Sequence, residues 1–399
     1  MAELSSLDSG TRQRNLSRIL RMVHLSGPLS RAALTESTGL NRSTVGDLVA
    51  ELASAGLVEE RAPEEHRRVG RPSPNVTADA RVVAIAVNPE VDALEVAVVG
   101  LDRAIRVRVR DEVDHLLTPE ETARRVAEVI SQWRQSALSG HLITAVGVAV
   151  PGLVRAADGL VRHAPHLGWR DVALRDLLQD ATGLTTVVDN DATLGARAEH
   201  LFGAAQGSDD VVYLNGGASG IGGGLVIEGQ SIRGSGGYAG EFGQNRPGIA
   251  AASDRRSGPQ GVLEDEVSRS RLLAALQMHG ADDPTLAGAL RTSHALDVRE
   301  EVERQRRVLS TALANAINVL NPSVVVLGGF LAMLAEHDAD EFAAAVTAQA
   351  MPANTEDLQI RSAALAEDRL LIGAAEAAFT ELLADPVPVA DALAALTRR

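Results

Sequence analysis

The chain has 399 residues, 45% of them apolar and 23% charged, no cysteine and a net charge of −15 at neutral pH. This length and composition suit two or three soluble domains, and the missing cysteine excludes disulfides, thiolate catalysis and metal sites built on sulfur. No apolar run approaches the ~18 residues of a membrane span and the N-terminus has no apolar signal core, so a cytoplasmic protein without a membrane partner is expected.

The charge is unevenly spread. Residues 1–80 hold ten arginines and ten acids, and within 11–50 there are six arginines against two acids, Glu36 and Asp47. A basic head on an acidic body points to a head that meets a polyanion; a solvated arginine face is the plain alternative.

In chain order, Leu16, Ile19, Leu20 and Val23 mark one face of a first helix, since they fall at i, i+3, i+4 and i+7. Ser26, Gly27 and Pro28 end it. Ser30 is placed to cap a second short helix that ends near Gly39, and Asn41 to cap a third, with Leu40 and Val45 at the staple positions. In the third helix Val45, Leu48, Val49 and Leu52 form a buried face, and Arg42, Ser43, Thr44 and Asp47 point outward. Gly56 ends that helix, and residues 57–60 and 75–79 pair as a ribbon around a polar tip. Three short helices and a ribbon within residues 1–80 make a winged helix-turn-helix whose third helix offers polar and arginine side chains to base edges. At the tip (67–74), Arg71 suits a minor groove while Arg67 and Arg68 suit phosphates. A small helical bundle for protein contacts is the alternative.

From about residue 81 the texture changes. Residues 82–87, 94–101 and 104–110 read as a strand meander, followed by a helix near 118–137 and a buried strand at 145–150. The pattern repeats with strands at 211–215 and 220–229, helices from about 262 to 320, and a strand at 324–329. Two α/β lobes with a cleft between them follow: lobe 1 over 81–190, completed by a C-terminal helix at about 370–399, and lobe 2 over 191–370. The tail beyond Asp385 reads as loose. The glycine-rich stretch Asn215–Gly229 is either a tight turn between strands or an anion cradle, in which case Gly220, Gly222 and Gly223 form a phosphate loop.

Six segments then fall in order: GVAVPGLV (147–154), VRHAPHLGW (161–169), VVDNDATLGARAE (187–199), GIGGGLVIEG (220–229), GYAGEFG (237–243) and NVLNPSVVVLGG (318–329). With the winged helix in front, they resemble the repressor branch of the ROK family, which comprises sugar kinases and sugar-responsive repressors. The resemblance covers nearly the whole chain. It implies the two-lobed actin/hexokinase-like (ribonuclease H-like) ATPase fold, palindromic operator DNA as a partner, a homo-oligomer (dimer or larger), and a sugar or sugar phosphate as effector. It puts the sugar pocket on Gly152, Asn190, Asp191, Glu241 and Glu264, with His166 and Gln244 beside it, and gives Asp191 the place of a kinase's general base. Carboxylates and amides accept hydrogen bonds from sugar hydroxyls with defined geometry. Asn190 and Asp191 are equally ordinary caps for the following helix, and His166 equally a plain loop histidine. Trp169 is expected beside the pocket.

Two departures from the family pattern matter. Where the kinases carry D-x-G-G-T, this chain has Asn88 and Pro89 followed by Glu90. Pro89 has no N–H to give, and Glu90 repels phosphate. The expectation is a non-enzyme with Asp191 as a vestigial base, Gly220, Gly222 and Gly223 as a vestigial phosphate loop left without its partner, and no ATP cofactor; the alternatives are an active sugar kinase with a DNA-binding head, or a regulator that answers a protein partner. The family's zinc ligands, one histidine and three cysteines, fall on Gln244, Arg255, Ser257 and Val262, so no metal is expected. That leaves segment 244–262 either mobile or held by packing.

Overall fold

The computed structural model describes residues 2–61, 74–249, 251–257 and 261–397. The head contains α1 (Ala2–Ser26), β1 (Leu29–Ser30), α2 (Arg31–Thr38), α3 (Arg42–Ser54), β2 (Val58–Arg61) and β3 (Asn75–Ala78). The caps are those the sequence indicates. Ser30 Oγ accepts from the Ala33 N–H at 3.1 Å, and Asn41 Oδ1 from the Thr44 N–H at 2.8 Å. Gly39 closes α2 at φ 71°, a conformation that suits glycine. Leu16, Ile19, Leu20 and Val23 of α1 bury against Leu34 of α2 and the apolar face of α3. The wing has a third strand that the sequence reading missed: β1 pairs with β3, which pairs with β2. Two residues give too short an alternation to be read as a strand.

Lobe 1 follows as β4 (Val82–Pro89), β5 (Ala93–Gly100), β6 (Ile105–Glu112), α4 (Pro119–Arg134), β7 (Leu142–Val150), β8 (Leu153–Val154), β9 (Val161–Ala164), β10 (Trp169–Val172), α5 (Leu174–Thr182), β11 (Thr186–Asn190) and α6 (Asp191–Phe202). Lobe 2 contains β12 (Val211–Gly217), β13 (Gly220–Ile227), β14 (Gln230–Ser231), α7 (Leu263–Glu266), α8 (Arg269–Ala275), α9 (Asp283–Thr292), α10 (Leu296–Leu320), β15 (Val324–Gly329), α11 (Phe330–Glu336), α12 (Ala339–Thr347) and β16 (Gln359–Ser362). The two main sheets share one plan. Their orders are β6-β5-β4-β7-β11 and β14-β13-β12-β15-β16, each an antiparallel meander followed by two parallel strands. The chain is therefore a doubled α/β unit behind a winged helix.

The chain then returns to lobe 1 through α13 (Arg369–Ala378), α14 (Thr380–Ala384) and α15 (Pro386–Thr397). Helix α13 lies on the lobe 1 sheet and on α6 so closely that a Cβ at Gly147 would fall 1.8 Å from the Ala374 carbonyl oxygen. The expected loose tail is corrected: after Asp385 the chain forms α15, which packs on α1, α3 and β7 with Ala390 buried. Its apolar residues had an unseen partner, the head. No helix among the described residues is long and apolar enough to cross a membrane.

Head and lobe 1 share one apolar core, and within it lies a buried polar contact. His24 of α1 and Glu376 of α13 are 1% and 2% exposed. His24 Nε2 is 2.6 Å from Glu376 Oε1, and Nδ1 is 2.5 Å from the Leu101 carbonyl oxygen. The imidazole edge meets Phe379 and also Phe202, the last residue of α6, at centroid distances of 5.9 and 5.6 Å. Burial by itself lowers the His24 pKa, but the Glu376 carboxylate outweighs it and leaves the group raised. Burial likewise pushes Glu376 up, yet His24, Arg197 and Arg21 hold it below its ordinary value.

A raised histidine stabilises fully below its unfolded pKa and loses that contribution as pH rises through the folded one; a depressed carboxylate loses its contribution as pH falls through its folded pKa. The pair therefore contributes fully at about pH 5 to 6. His24→Leu strands a buried carboxylate and is expected to cost about 3–5 kcal/mol in thermal unfolding, whereas His24→Leu with Glu376→Leu recovers most of the loss. Melting curves across pH check this: the wild type loses stability above neutrality relative to the double variant, and parallel profiles would contradict the pairing.

Candidate functional site

Strand β11 runs directly into α6, and the junction builds one wall of a cavity. Asn190 caps α6 by accepting from the Thr193 N–H at 2.9 Å, and its Nδ2 donates to the Gly152 carbonyl at 3.0 Å and to Asp191 Oδ1 at 3.2 Å. The cap reading of Asn190 holds, and capping fixes the amide where it lines the cavity. Asp191 Oδ1 also accepts from the Ala192 N–H at 2.8 Å. Burial pushes the Asp191 carboxyl up to about 6, against the pull of that N–H and of the Arg369 guanidinium.

The second wall is the β12–β13 hairpin, in which Gly217 pairs with Gly220 across Ala218 and Ser219. Its glycines answer to packing. A Cβ at Gly222 would lie 2.7 Å from Ala192 Cβ, and one at Gly223 would lie 2.5 Å from the Gly240 carbonyl oxygen. Their absence lets α6 and the segment at 240 lie flat on the two faces of β13. The reading of Gly220, Gly222 and Gly223 as a phosphate loop is corrected accordingly. Gly222 and Gly223 are interior to a strand, Gly220 closes the turn beside Glu264, and the turn residues 216–219 are the ones that face the neighbouring cavity.

The third wall carries Glu241, Gln244 and Glu264. Gln244 Nε2 donates to Glu264 Oε1 at 2.5 Å, and the Ile221 N–H donates to Glu264 Oε2 at 3.2 Å. Burial, with the neighbouring charges of Asp191 and Glu264, raises the Glu241 pKa. The structure brings Gly152, His166, Asn190, Asp191, Glu241, Gln244 and Glu264 together around one cavity of about 390 Å³. His163 and Ser219 also line it and were not singled out in the sequence. Three carboxylates and two amides in a small space accept hydrogen bonds from a neutral, hydroxyl-rich ligand.

A second cavity of about 700 Å³ adjoins the first and shares Pro151, His166, Asp191 and Ser219 with it. Its far wall is Asn88, Pro89 and Glu90. The Asn88 amide donates to Glu90 at 2.9 Å, and Arg110 pairs with Glu90 at 2.6 Å and with Asp92 at 3.2 Å. Trp169 stands away from both cavities, 3% exposed in the lobe 1 core, where its indole N–H donates to the Leu117 carbonyl at 2.9 Å. This corrects its expected place beside the pocket; an apolar ring packed into the core outweighed its nearness in sequence to His166.

On the head, Arg42, Ser43 and Asp47 are exposed and Thr44 half-buried on the face of α3 opposite its core residues. Arg67, Arg68 and Arg71 lie outside the described residues, although the strands that flank them are in place.

The sequence matches the ROK family over residues 84–381 and the MarR family over residues 14–69. The xylose repressor of Caldicellulosiruptor bescii is 24% identical over 94% of this chain and 98% of its own length. A glucokinase of Halalkalibacterium halodurans is 30% identical over 59% of this chain and 78% of its own. Among solved structures, a ROK family transcriptional regulator, a homolog of the E. coli MLC protein, superposes with a TM-score of 0.76 at 23% identity, covering 96% of this chain and 99% of that one. That likeness shows the fold expected from the sequence.

The raised Asp191 pKa has a measurable consequence. A carboxyl whose folded pKa exceeds its unfolded one destabilises the fold as pH rises through the interval between them. Asp191→Asn is expected to stabilise the ligand-free protein by about 1–3 kcal/mol at pH 8 and by much less at pH 4. Thermal melts at the two pH values check it, and equal destabilisation at both would contradict the enclosed carboxyl.

Proposed function

The chain belongs to the ROK family, and from that premise we propose that it is a sugar-responsive DNA-binding repressor whose lobes bind a sugar or sugar phosphate without phosphorylating it. One observation carries this reading. Asp191, Glu241 and Glu264 gather around one cavity with Asn190 and Gln244, while the wall that would face a nucleotide is Asn88, Pro89 and Glu90 beside Arg110. Phosphoryl transfer needs donors and a metal ligand aimed at the phosphates. Here the Asn88 amide is taken up by Glu90, Pro89 has no N–H, and Arg110 is held in an ion pair by Glu90. Removing one such clamp typically costs on the order of 100-fold in rate.

Helix α6 supports the link between ligand and DNA. Its first residue lines the cavity and its last touches His24 of the head. Closure of the lobes on a ligand shifts this helix, and the head moves with it. Two heads on a two-fold assembly then meet two half-sites of a palindromic operator with altered geometry. Helix α3 presents Arg42, Ser43, Thr44 and Asp47 to base edges, with Arg67, Arg68 and Arg71 of the wing at the backbone and minor groove.

The second reading, a sugar kinase with a DNA-binding head, draws on the enclosed Asp191, whose raised pKa suits a general base. The test combines a gel shift on the DNA upstream of the protein's own gene with an ADP-release assay. Both use D-xylose, D-glucose, N-acetyl-D-glucosamine and their phosphates. The expected result is that at least one sugar changes operator affinity by about 5- to 150-fold, that the DNA changes affinity for that sugar by the same factor, and that no sugar supports turnover. Arg42→Ala weakens the shift while leaving sugar binding unchanged. Robust ADP release, or unequal factors, would overturn the proposal.

A further inference from the structure

The residues at the family's zinc positions do not fit a metal. Gln244 is engaged with Glu264, and the Arg255 guanidinium donates to the Ile249 carbonyl at 3.1 Å. Ser257 and Val262 use their backbone N–H groups, on Glu266 Oε1 at 2.8 Å and Asp265 Oδ2 at 3.0 Å. None offers a thiolate or imidazole, and the described residues contain no cluster of histidine, aspartate or glutamate able to hold an ion. Yet Glu264, two residues past Val262, forms a wall of the cavity.

An arginine holds the segment instead. Arg304 of α10 is 1% exposed. Its Nη1 donates to the Asp254 carbonyl at 2.9 Å and to Glu266 Oε2 at 3.2 Å, and its Nη2 to the Glu266 carbonyl at 2.6 Å. Nε and Nη2 also donate to the Glu301 carboxylate at 2.9 and 2.7 Å. The Glu266 carboxylate in turn accepts the Arg256 and Ser257 N–H groups at 2.9 and 2.8 Å. The neighbouring Gln305 exchanges two hydrogen bonds with the Ser268 backbone at 3.0 and 3.1 Å, and Arg307 grips Asp254 with two bonds at 3.0 and 2.9 Å. One turn of α10 thus ties down both ends of residues 254–268. A planar guanidinium with five donors can cross-link several chain points at once, as a tetrahedral metal does. Because Arg304 holds the backbone at the last residue of α7, it fixes the turn that presents Glu264 to Gln244 and to the cavity.

We propose that Arg304 is a positioning residue for the ligand site, and that this site therefore works without a metal. The inference rests on the sugar-binding reading for its ligand but not for its clamp, and the experiment separates the two. Hydrogen exchange is measured on the full chain after EDTA treatment and after addition of zinc chloride. The Arg256 and Ser257 amides are expected to exchange equally slowly in both. Arg304→Met speeds them at least tenfold while exchange in the head and in β4–β7 stays the same. Arg307→Ala, at the exposed end of the grip, gives the same pattern at smaller size and serves if Arg304→Met fails to fold. Calorimetry with D-glucose, D-xylose and N-acetyl-D-glucosamine then reads positioning. Arg304→Met weakens binding at least tenfold, and Glu264→Gln adds less than twofold in that background, because Glu264 is already displaced. Faster exchange after EDTA, stoichiometric zinc binding, or independent penalties for the two substitutions would overturn the proposal. Silence of all three sugars on the wild type, with protection still dependent on Arg304, counts against the sugar reading and supports the clamp.

Discussion

The contact between His24 and Glu376 is where the head meets lobe 1, and the account of regulation depends on it. A buried imidazole between a carboxylate and a backbone carbonyl has one orientation, because each ring nitrogen is committed. That orientation presents the ring edge to Phe202 at the end of α6. Arg103 stacks on the same Phe202 ring, its guanidinium carbon 4.9 Å from the centroid, and Arg197 of α6 lies 3.9 Å from the second oxygen of Glu376. The far end of α6 is therefore not free to move without the head. Its near end begins with the capping amide and carboxylate of the cavity. A helix packed on both sides along its length behaves as a stiff element, so a ligand that biases one end biases the other.

The duplicated lobe lets the two sides of the cleft be compared. In each lobe the first two strands are joined by a hairpin, and the two hairpins face each other across the larger cavity. In lobe 2 that hairpin is glycine-rich and admits close approach. In lobe 1 it carries Asn88, Pro89, Glu90 and Asp92, with Arg110 closing the acids into ion pairs. The lobe 1 hairpin thus takes up its own polar groups. The smaller cavity draws on other elements, the start of α6 and the turn of α7, and its lining does not depend on the lobe 1 hairpin.

Local features of the fold were legible in the sequence. Ser30 and Asn41 could be read as caps because a cap is a short-range hydrogen bond, and the α3 face because its period is set by the helix. The seven cavity residues could be named only through a resemblance, since Gly152, Glu241 and Glu264 come together from distant elements. What was missed is uniformly long-range. Nothing near His24 in sequence signals Glu376, and the apolar tail after Asp385 looks loose until α1 and α3 are beside it. Nothing near Arg304 in sequence signals Asp254 or Glu266. The glycines after Asn215 misled because close packing of a helix on a strand and close approach to a phosphate demand the same missing side chain.

The most direct test of this account is the factor by which a bound sugar changes operator affinity, measured in the wild type and in Phe202→Ala. The substitution touches neither the cavity nor α3. Sugar affinity without DNA and operator affinity without sugar are expected to stay within about threefold of wild type, while the coupling factor, ordinarily about 5 to 150, falls toward one. A coupling factor unchanged in Phe202→Ala would contradict it.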